Sequence, residues 1–209
     1  AFDELIQKFK FKTINPTLDC IDISHHSGSN PKAAIIRFNI NGSEKKLYRA
    51  YNLPRELGGN DPGSISYAIN KRLDSKDENP SILLVDGGRA QLNALIPKIK
   101  NREILLLAIE KGSQRKVLTE NIYSINGQES IEVNSKLFNL LIKARDEAHR
   151  FAIKANRNAK RINMQVSILD SIKGIGPKTK ERLFNEFKSI NAILNSDINH
   201  LQNIRGIDR

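Results

Sequence analysis

Leu18-Asp19-Cys20-Ile21-Asp22-Ile23-Ser24-His25 is the stretch that decides how the rest of the chain is read. In an extended strand, successive side chains point to opposite faces. That puts Leu18, Cys20, Asp22 and Ser24 on one face and Asp19, Ile21 and Ile23 on the other. Apolar residues on both faces mark a central strand covered on each side. A carboxylate near the end of such a strand is costly to bury unless something pairs with it. Ser81-Ile82-Leu83-Leu84-Val85-Asp86-Gly87-Gly88 reads the same way, a continuous apolar run ending on a lone Asp. Two core strands that each release one aspartate at the same edge make a minimal cradle for a divalent cation, so Asp22 and Asp86 are the candidate pair.

Working outward, Phe2, Leu5, Ile6 and Phe9 stand at i, i+3, i+4 and i+7 and predict an amphipathic packing helix, ended by Asn15-Pro16. Residues 33–40 and 45–52 predict strands joined at Asn41-Gly42, which with the first strand make an antiparallel meander. Residues 55–63 are polar and glycine-rich, hence a loop, and Ile65, Ala68, Ile69 and Leu73 mark a helix. A strand at 82–85, a helix at 90–98, a strand at 104–109, a basic loop from Lys111 to Arg115 and a hairpin of 117–125 with 130–133 follow. A long helical pattern then runs from Leu137 to about Arg161. The order β-β-β-α-β-α-β-α implies a mixed α/β sheet with flanking helices, antiparallel first and parallel later.

One cysteine, Cys20, in a core strand excludes a disulfide framework and suits a reducing compartment. No apolar run is long enough to span a bilayer. The chain opens Ala-Phe-Asp, without an initiator Met or a leader, and reads as a piece of something longer. The net charge of +11 is uneven: residues 136–188 carry thirteen Lys/Arg against five Asp/Glu. Such a basic segment favours a polyanion, nucleic acid before an anionic membrane.

At about 100° per residue, Leu137, Leu140, Leu141, Ala144, Ala148 and Phe151 form one apolar stripe of the long helix. Lys143, Arg150, Lys154, Arg157 and Arg161 gather on another face, either a solvated surface or a DNA-binding stripe. His149 lies roughly 130° from the centre of the apolar stripe. It is therefore a candidate metal ligand or proton shuttle, with Asp146 one turn earlier either orienting it or merely solvated. Further on, Leu169-Asp-Ser-Ile-Lys-Gly-Ile-Gly176 repeats as Leu201-Gln-Asn-Ile-Arg-Gly-Ile-Asp208, and Pro177 opens a helix after the first copy. Glycine turns at a helix N-terminus let backbone N–H groups approach phosphates. This makes Lys173, Gly174, Gly176, Lys178, Lys180, Arg205 and Gly206 candidate DNA contacts.

Asp22-Ile-Ser-His25, Val85-Asp86-Gly87-Gly88 with Gln91-Leu92, Arg145-Asp-Glu-Ala-His-Arg-Phe151 and Gly174-Ile-Gly-Pro-Lys178 occur in an order that resembles the UvrC family. The resemblance covers essentially the whole chain and implies an RNase H-like endonuclease domain followed by a small all-α tandem helix-hairpin-helix domain. The implied division is an N-terminal helix and linker at 1–15, the nuclease at 16–155, a linker at 156–165 and the hairpin domain at 166–209. It further implies a bacterial cytoplasmic enzyme that uses Mg2+ or Mn2+ and acts on damaged double-stranded DNA. Such an enzyme makes the 5′ incision beside a lesion and works with UvrB through a segment not present here. By the same resemblance Asp22, Asp86 and His149 are catalytic residues and metal ligands, and Lys111 and Arg115 belong to a basic loop near the DNA. There are departures from the family pattern. Asp61 or Ser66 stands where the family places a further carboxylate, Arg89 replaces the usual Lys, and the second hairpin stops at Arg209. A non-catalytic DNA-binding scaffold and a junction- or hybrid-cleaving nuclease are the competing readings.

Overall fold

In the computed structural model, which describes residues 1–24, 31–57, 59–112, 120–170, 172 and 174–207 (side chains of 158–168 and 170 excepted), β1 (Leu18–Ser24) has a strand on either side. β2 (Lys32–Asn39) runs antiparallel to it, from Leu18↔Phe38 to Ser24↔Lys32. β5 (Ile82–Asp86) runs parallel on the other side, from Leu18↔Ile82 to Ile21↔Val85. With β3 (Gly42–Ser43), β4 (Arg49–Asn52), β6 (Leu105–Lys111), β7 (Glu120–Ser124) and β8 (Gly127–Glu129), the sheet order is β3-β2-β1-β5-β6-β7-β8, and β4 also pairs with β2. Only β1–β5 and β5–β6 are parallel among these pairs, as the sequence of crossovers requires.

Helices cover both faces. On one, α1 (Phe2–Phe9) and α4 (Lys136–Asp170) pack on Leu18, Cys20, Ile82, Leu84, Leu107 and Ile109. On the other, α2 (Asp61–Leu73) and α3 (Arg89–Ile99) pack on Ile21, Ile35, Leu83 and Val85. Ala144, Ala148 and Ala152 are fully buried, so the small side chains of α4 let its axis lie close to the sheet. The start of α4 is capped twice. Ser135 Oγ accepts the Phe138 N–H and Glu4 Oε2 accepts the Leu137 N–H, each at 3.0 Å. Asp19 lies on the other face, fully buried, 2.6 Å from Arg37 Nε and 2.9 Å from Arg72 Nε. Both guanidiniums also donate to the Glu78 carbonyl, which keeps this charged group hydrogen-bonded inside the core.

Several predicted elements end elsewhere, each for a local reason. The strand expected over 45–52 is a 3-10 turn at Lys45–Leu47 followed by β4 alone. The turn sends Tyr48 onto the α4 face, where its hydroxyl donates to Glu147 at 2.9 Å and its ring stacks edge-on with Phe151. α2 begins inside the stretch expected to be loop, because Asn60-Asp61-Pro62-Gly63 is a helix start. Asn60 Oδ1 accepts the Gly63 N–H and Pro62 occupies the first turn. β8 begins at Gly127 rather than Ser130, since Ser124 pairs directly with Gly127 across a two-residue turn. Residues 117–119 of the expected β7 lie outside the described residues. α4 continues to Asp170 through residues 156–165, expected as a linker that is either flexible or a continuous helix. That stretch is polar but contains neither Gly nor Pro to stop a helix.

The chain divides into two units, Ala1–Asn156 and Arg157–Arg209. In the second, α5 (Pro177–Phe187), α6 (Ile190–Leu194) and α7 (Ile198–Gln202) surround Leu169, Leu183, Ile190 and Ile193. The sequence repeat is a structural repeat. Gly174 and Gly206 have φ of 95° and 96°, and Ile175 and Ile207 each donate a backbone N–H to the residue three earlier. Positive φ is what demands glycine at both positions. Among the described residues no helix is long and apolar enough to cross a membrane.

Candidate active site

One step beyond the last paired residues of the β1–β5 ladder, Ile21 and Val85, come Asp22 and Asp86. Alternation puts both on the α4 side of the sheet, following Cys20 and Leu84 of that core. Beyond Asp86 the chain must leave the strand sharply. Gly87 takes a φ of 153°, and a Cβ on Gly88 would lie 2.8 Å from the Glu110 carboxylate. The positive φ favours glycine at 87, and the Gly88 N–H is capped by Gln91 Oε1 at 3.1 Å. α4 crosses above with Ala148 buried against the core and its neighbour His149 turned to the strand ends. His149 Nδ1 lies 3.1 Å from Asp22 Oδ2. One ligand atom from each of Asp22, Asp86 and His149 falls within 4.8 Å of the other two.

The electrostatics suit an incoming cation. Burial raises the Asp22 carboxyl above its ordinary value, against the opposing hydrogen bond from His149. Burial, and next the charge of Asp22, push the Asp86 carboxyl up to about 6. Among the described residues no hydrogen bond to the Asp86 carboxylate is made. His149 is 63% exposed and spends Nδ1 on Asp22, which leaves Nε2 facing outward. Beneath the trio, burial and then the charges of Asp86 and Asp22 push the Cys20 thiol well above its ordinary value, so it behaves as core filling.

Residues 7–153 match the family model described as the UvrC RNAse H endonuclease domain, and residues 166–209 match that of the SAM-like helix-hairpin-helix tandem. The chain belongs to the UvrC family. The UvrABC system protein C of Shewanella frigidimarina is 32% identical over 201 residues, covering 91% of this chain and 33% of that protein. Its counterpart in a Psychrobacter species is 32% identical over 214 residues, covering 100% of this chain and 34% of that protein. The chain thus spans about a third of the length of the relatives it matches. Among solved structures, human ENDOV overlays 48% of this chain and 48% of its own, at a TM-score of 0.35 and 12% identity. The UvrC-type architecture is an RNase H-like mixed sheet with flanking helices and a C-terminal tandem helix-hairpin-helix unit.

The remaining candidate residues are distributed unevenly over this UvrC-type frame. Asp61 begins α2 and its charge acts on Asp22, though it is not one of the clustered three. Asp146 does not orient the imidazole, a role taken by Asp22. It accepts from Arg145 at 2.8 and 3.0 Å instead. Lys111, expected in a loop, is the exposed last residue of β6, paired with Glu120. Lys143 and Lys154 are exposed, Lys143 lying over the Phe38 ring at 6.0 Å, and Arg157 is exposed in the second unit. Arg150 is exposed and pairs with both oxygens of Glu147 at 2.7 and 2.8 Å. In the hairpin unit Gly174, Gly176, Lys178, Arg205 and Gly206 are exposed around the two turns and Lys180 is half-buried. Arg115, Lys173 and the Arg161 side chain lie outside the described residues. Sequence reading missed Asn156, whose amide donates to Ser24 Oγ at 2.5 Å, and the Glu120–Arg145 ion pair.

Proposed function

We propose that this chain is the metal-dependent DNA endonuclease part of a nucleotide excision repair protein, making the 5′ incision next to a lesion. The observation that carries the reading is the convergence of Asp22, Asp86 and His149 within 4.8 Å at the ends of two adjacent parallel strands. Two carboxylate oxygens and an imidazole nitrogen form a donor set that fits Mg2+ or Mn2+, with no competing hydrogen bond to Asp86 among the described residues. A bound divalent ion would supply Lewis-acid polarisation of the phosphoryl group and an acidified water. Asp22 and Asp86 would hold it and fix its place relative to the strand ends. His149, oriented by Asp22 through Nδ1, presents Nε2 to take the proton from an attacking water or to complete the ligand set. In-line attack would leave a 5′-phosphate and a 3′-hydroxyl.

The hairpin unit would hold backbone phosphates without reading bases. This suits an enzyme directed by damage rather than by sequence. Lesion-bearing DNA and UvrB are the proposed partners, in the bacterial cytoplasm. The scaffold reading treats the aspartates as strand caps, which gives no reason for Asp86 to be brought within 4.8 Å of both Asp22 and His149 with its carboxyl pushed up by burial. Incubation with Mn2+ and lesion duplex already nicked 3′ of the damage, UvrB supplied, tests the assignment against junction and RNA–DNA hybrid substrates. Cleavage retained by both Asp22→Asn and Asp86→Asn would overturn it.

A further inference from the structure

Each carboxylate of the trio has a nitrogen-bearing side chain of α4 beside it, the two being one helical turn apart. His149 stands over Asp22, and Arg145, four residues earlier on the same face of α4, reaches the Asp86 side. Arg145 is engaged elsewhere. Its Nη1 lies 2.6 Å from Glu120 Oε1, an ion pair rather than an aligned hydrogen bond, and its Nε and Nη2 both donate to Asp146 Oδ1. The Glu120 side chain is 3% exposed and the Arg145 side chain 16% exposed. Glu120 is on the α4 side of β7, two residues from Ile122, which pairs with Ile109, itself the partner of Asp86. Arg145 is thus close enough to act on Asp86, yet held away from contact with it.

We propose that Glu120 is a positioning residue that tethers Arg145, preventing its guanidinium from collapsing onto Asp86 and competing with the divalent cation. This rests on the metal reading given above. A guanidinium set free beside two largely buried carboxylates would pair with them in the fork geometry it favours, filling the place the cation needs. Asp146 binds through one oxygen and is 62% exposed, so water screens that pair, whereas the Glu120 pair is largely shielded from solvent.

The test titrates Mn2+ into the chain and follows free Mn2+ by electron paramagnetic resonance, with no turnover required. Glu120→Gln is expected to weaken Mn2+ binding about tenfold, the scale of one charge-assisted hydrogen bond that the ion must displace. Glu120→Gln/Arg145→Gln, which removes the competitor, is expected to restore it to within about threefold of wild type. Should Glu120→Gln unfold, the shorter Glu120→Asp loosens the same tether and is expected to move binding in the same direction. Unchanged binding in the single variant overturns the tether, as does equal weakening in single and double variants, which marks the pair as framework only. A wild type that binds no Mn2+ sensitive to Asp86→Asn defeats the metal reading itself, and the tether with it.

Discussion

Replacing Asp86 with Asn should stabilise the metal-free protein at neutral pH. Burial and the Asp22 charge lift the Asp86 carboxyl from its ordinary value of 3.8 to about 6, so folding raises its proton affinity roughly a hundredfold. Each tenfold is worth about 1.4 kcal/mol, or about 3 kcal/mol in all, and partial solvent access trims this to about 2 kcal/mol. The sign follows from which state holds the proton more tightly. Below pH 4 the group is protonated in both states and nothing is lost. As pH rises from about 4 to 6 the unfolded chain ionises first, and the native state is progressively penalised. Asparagine keeps the shape and removes the charge. Thermal unfolding in EDTA at pH 8 should therefore show the first unit of Asp86→Asn melting roughly 4–8 °C above wild type, with the two converging toward pH 4. Millimolar Mn2+ should raise the wild-type midpoint and leave the variant unmoved. Superimposed melting curves at pH 8, or a variant that melts lower, would refute the claim that Asp86 is a destabilising charge kept for binding.

Asp22→Ala and His149→Ala should each reduce strand cleavage by at least about a hundredfold while leaving DNA affinity within about threefold, read by nicking and gel-shift assays on one preparation. Arg72→Met should cost about 3–5 kcal/mol in urea unfolding, since it removes one of the two cations from buried Asp19. Gly206→Ala should weaken DNA binding and destabilise the hairpin unit by about 1–2 kcal/mol. It places a Cβ at positive φ and 2.9 Å from Thr179 Oγ1. Wild-type DNA affinity should fall linearly on a log–log salt plot, with a slope set by the phosphates contacted, and the Lys178→Ala slope should be shallower by about one.

What could be read from residues alone tracked how strongly local chemistry constrains the backbone. β1 and β5 were legible because both faces are apolar and the runs are short, and their aspartates stood out against that background. α1 was legible from its spacing, and the glycine turns at 174 and 206 from the repeat. The start of α2 was hidden because Asn, Asp, Pro and Gly serve turns and helix caps alike. The break at Lys45–Leu47 is set by Tyr48 reaching a helix about a hundred residues away, which no local pattern encodes. The same holds for the site. Helical angles set His149 apart from the apolar stripe, but which carboxylate it meets depends on how α4 crosses the sheet. That Asp19 is buried follows from Arg37 and Arg72 meeting it in the core, partners that the strand's own alternation does not name.

The imidazole and the first carboxylate that it touches are separated by 127 residues of chain, and the second carboxylate arrives from a strand laid down between them. No local piece of the polypeptide contains the constellation, and no hairpin or single helix can build it early. It comes into being only when the parallel pairing of β1 with β5 is complete and α4 has settled across both. Any chemistry that the assembled trio supports is therefore withheld from nascent, misfolded or partly melted chains.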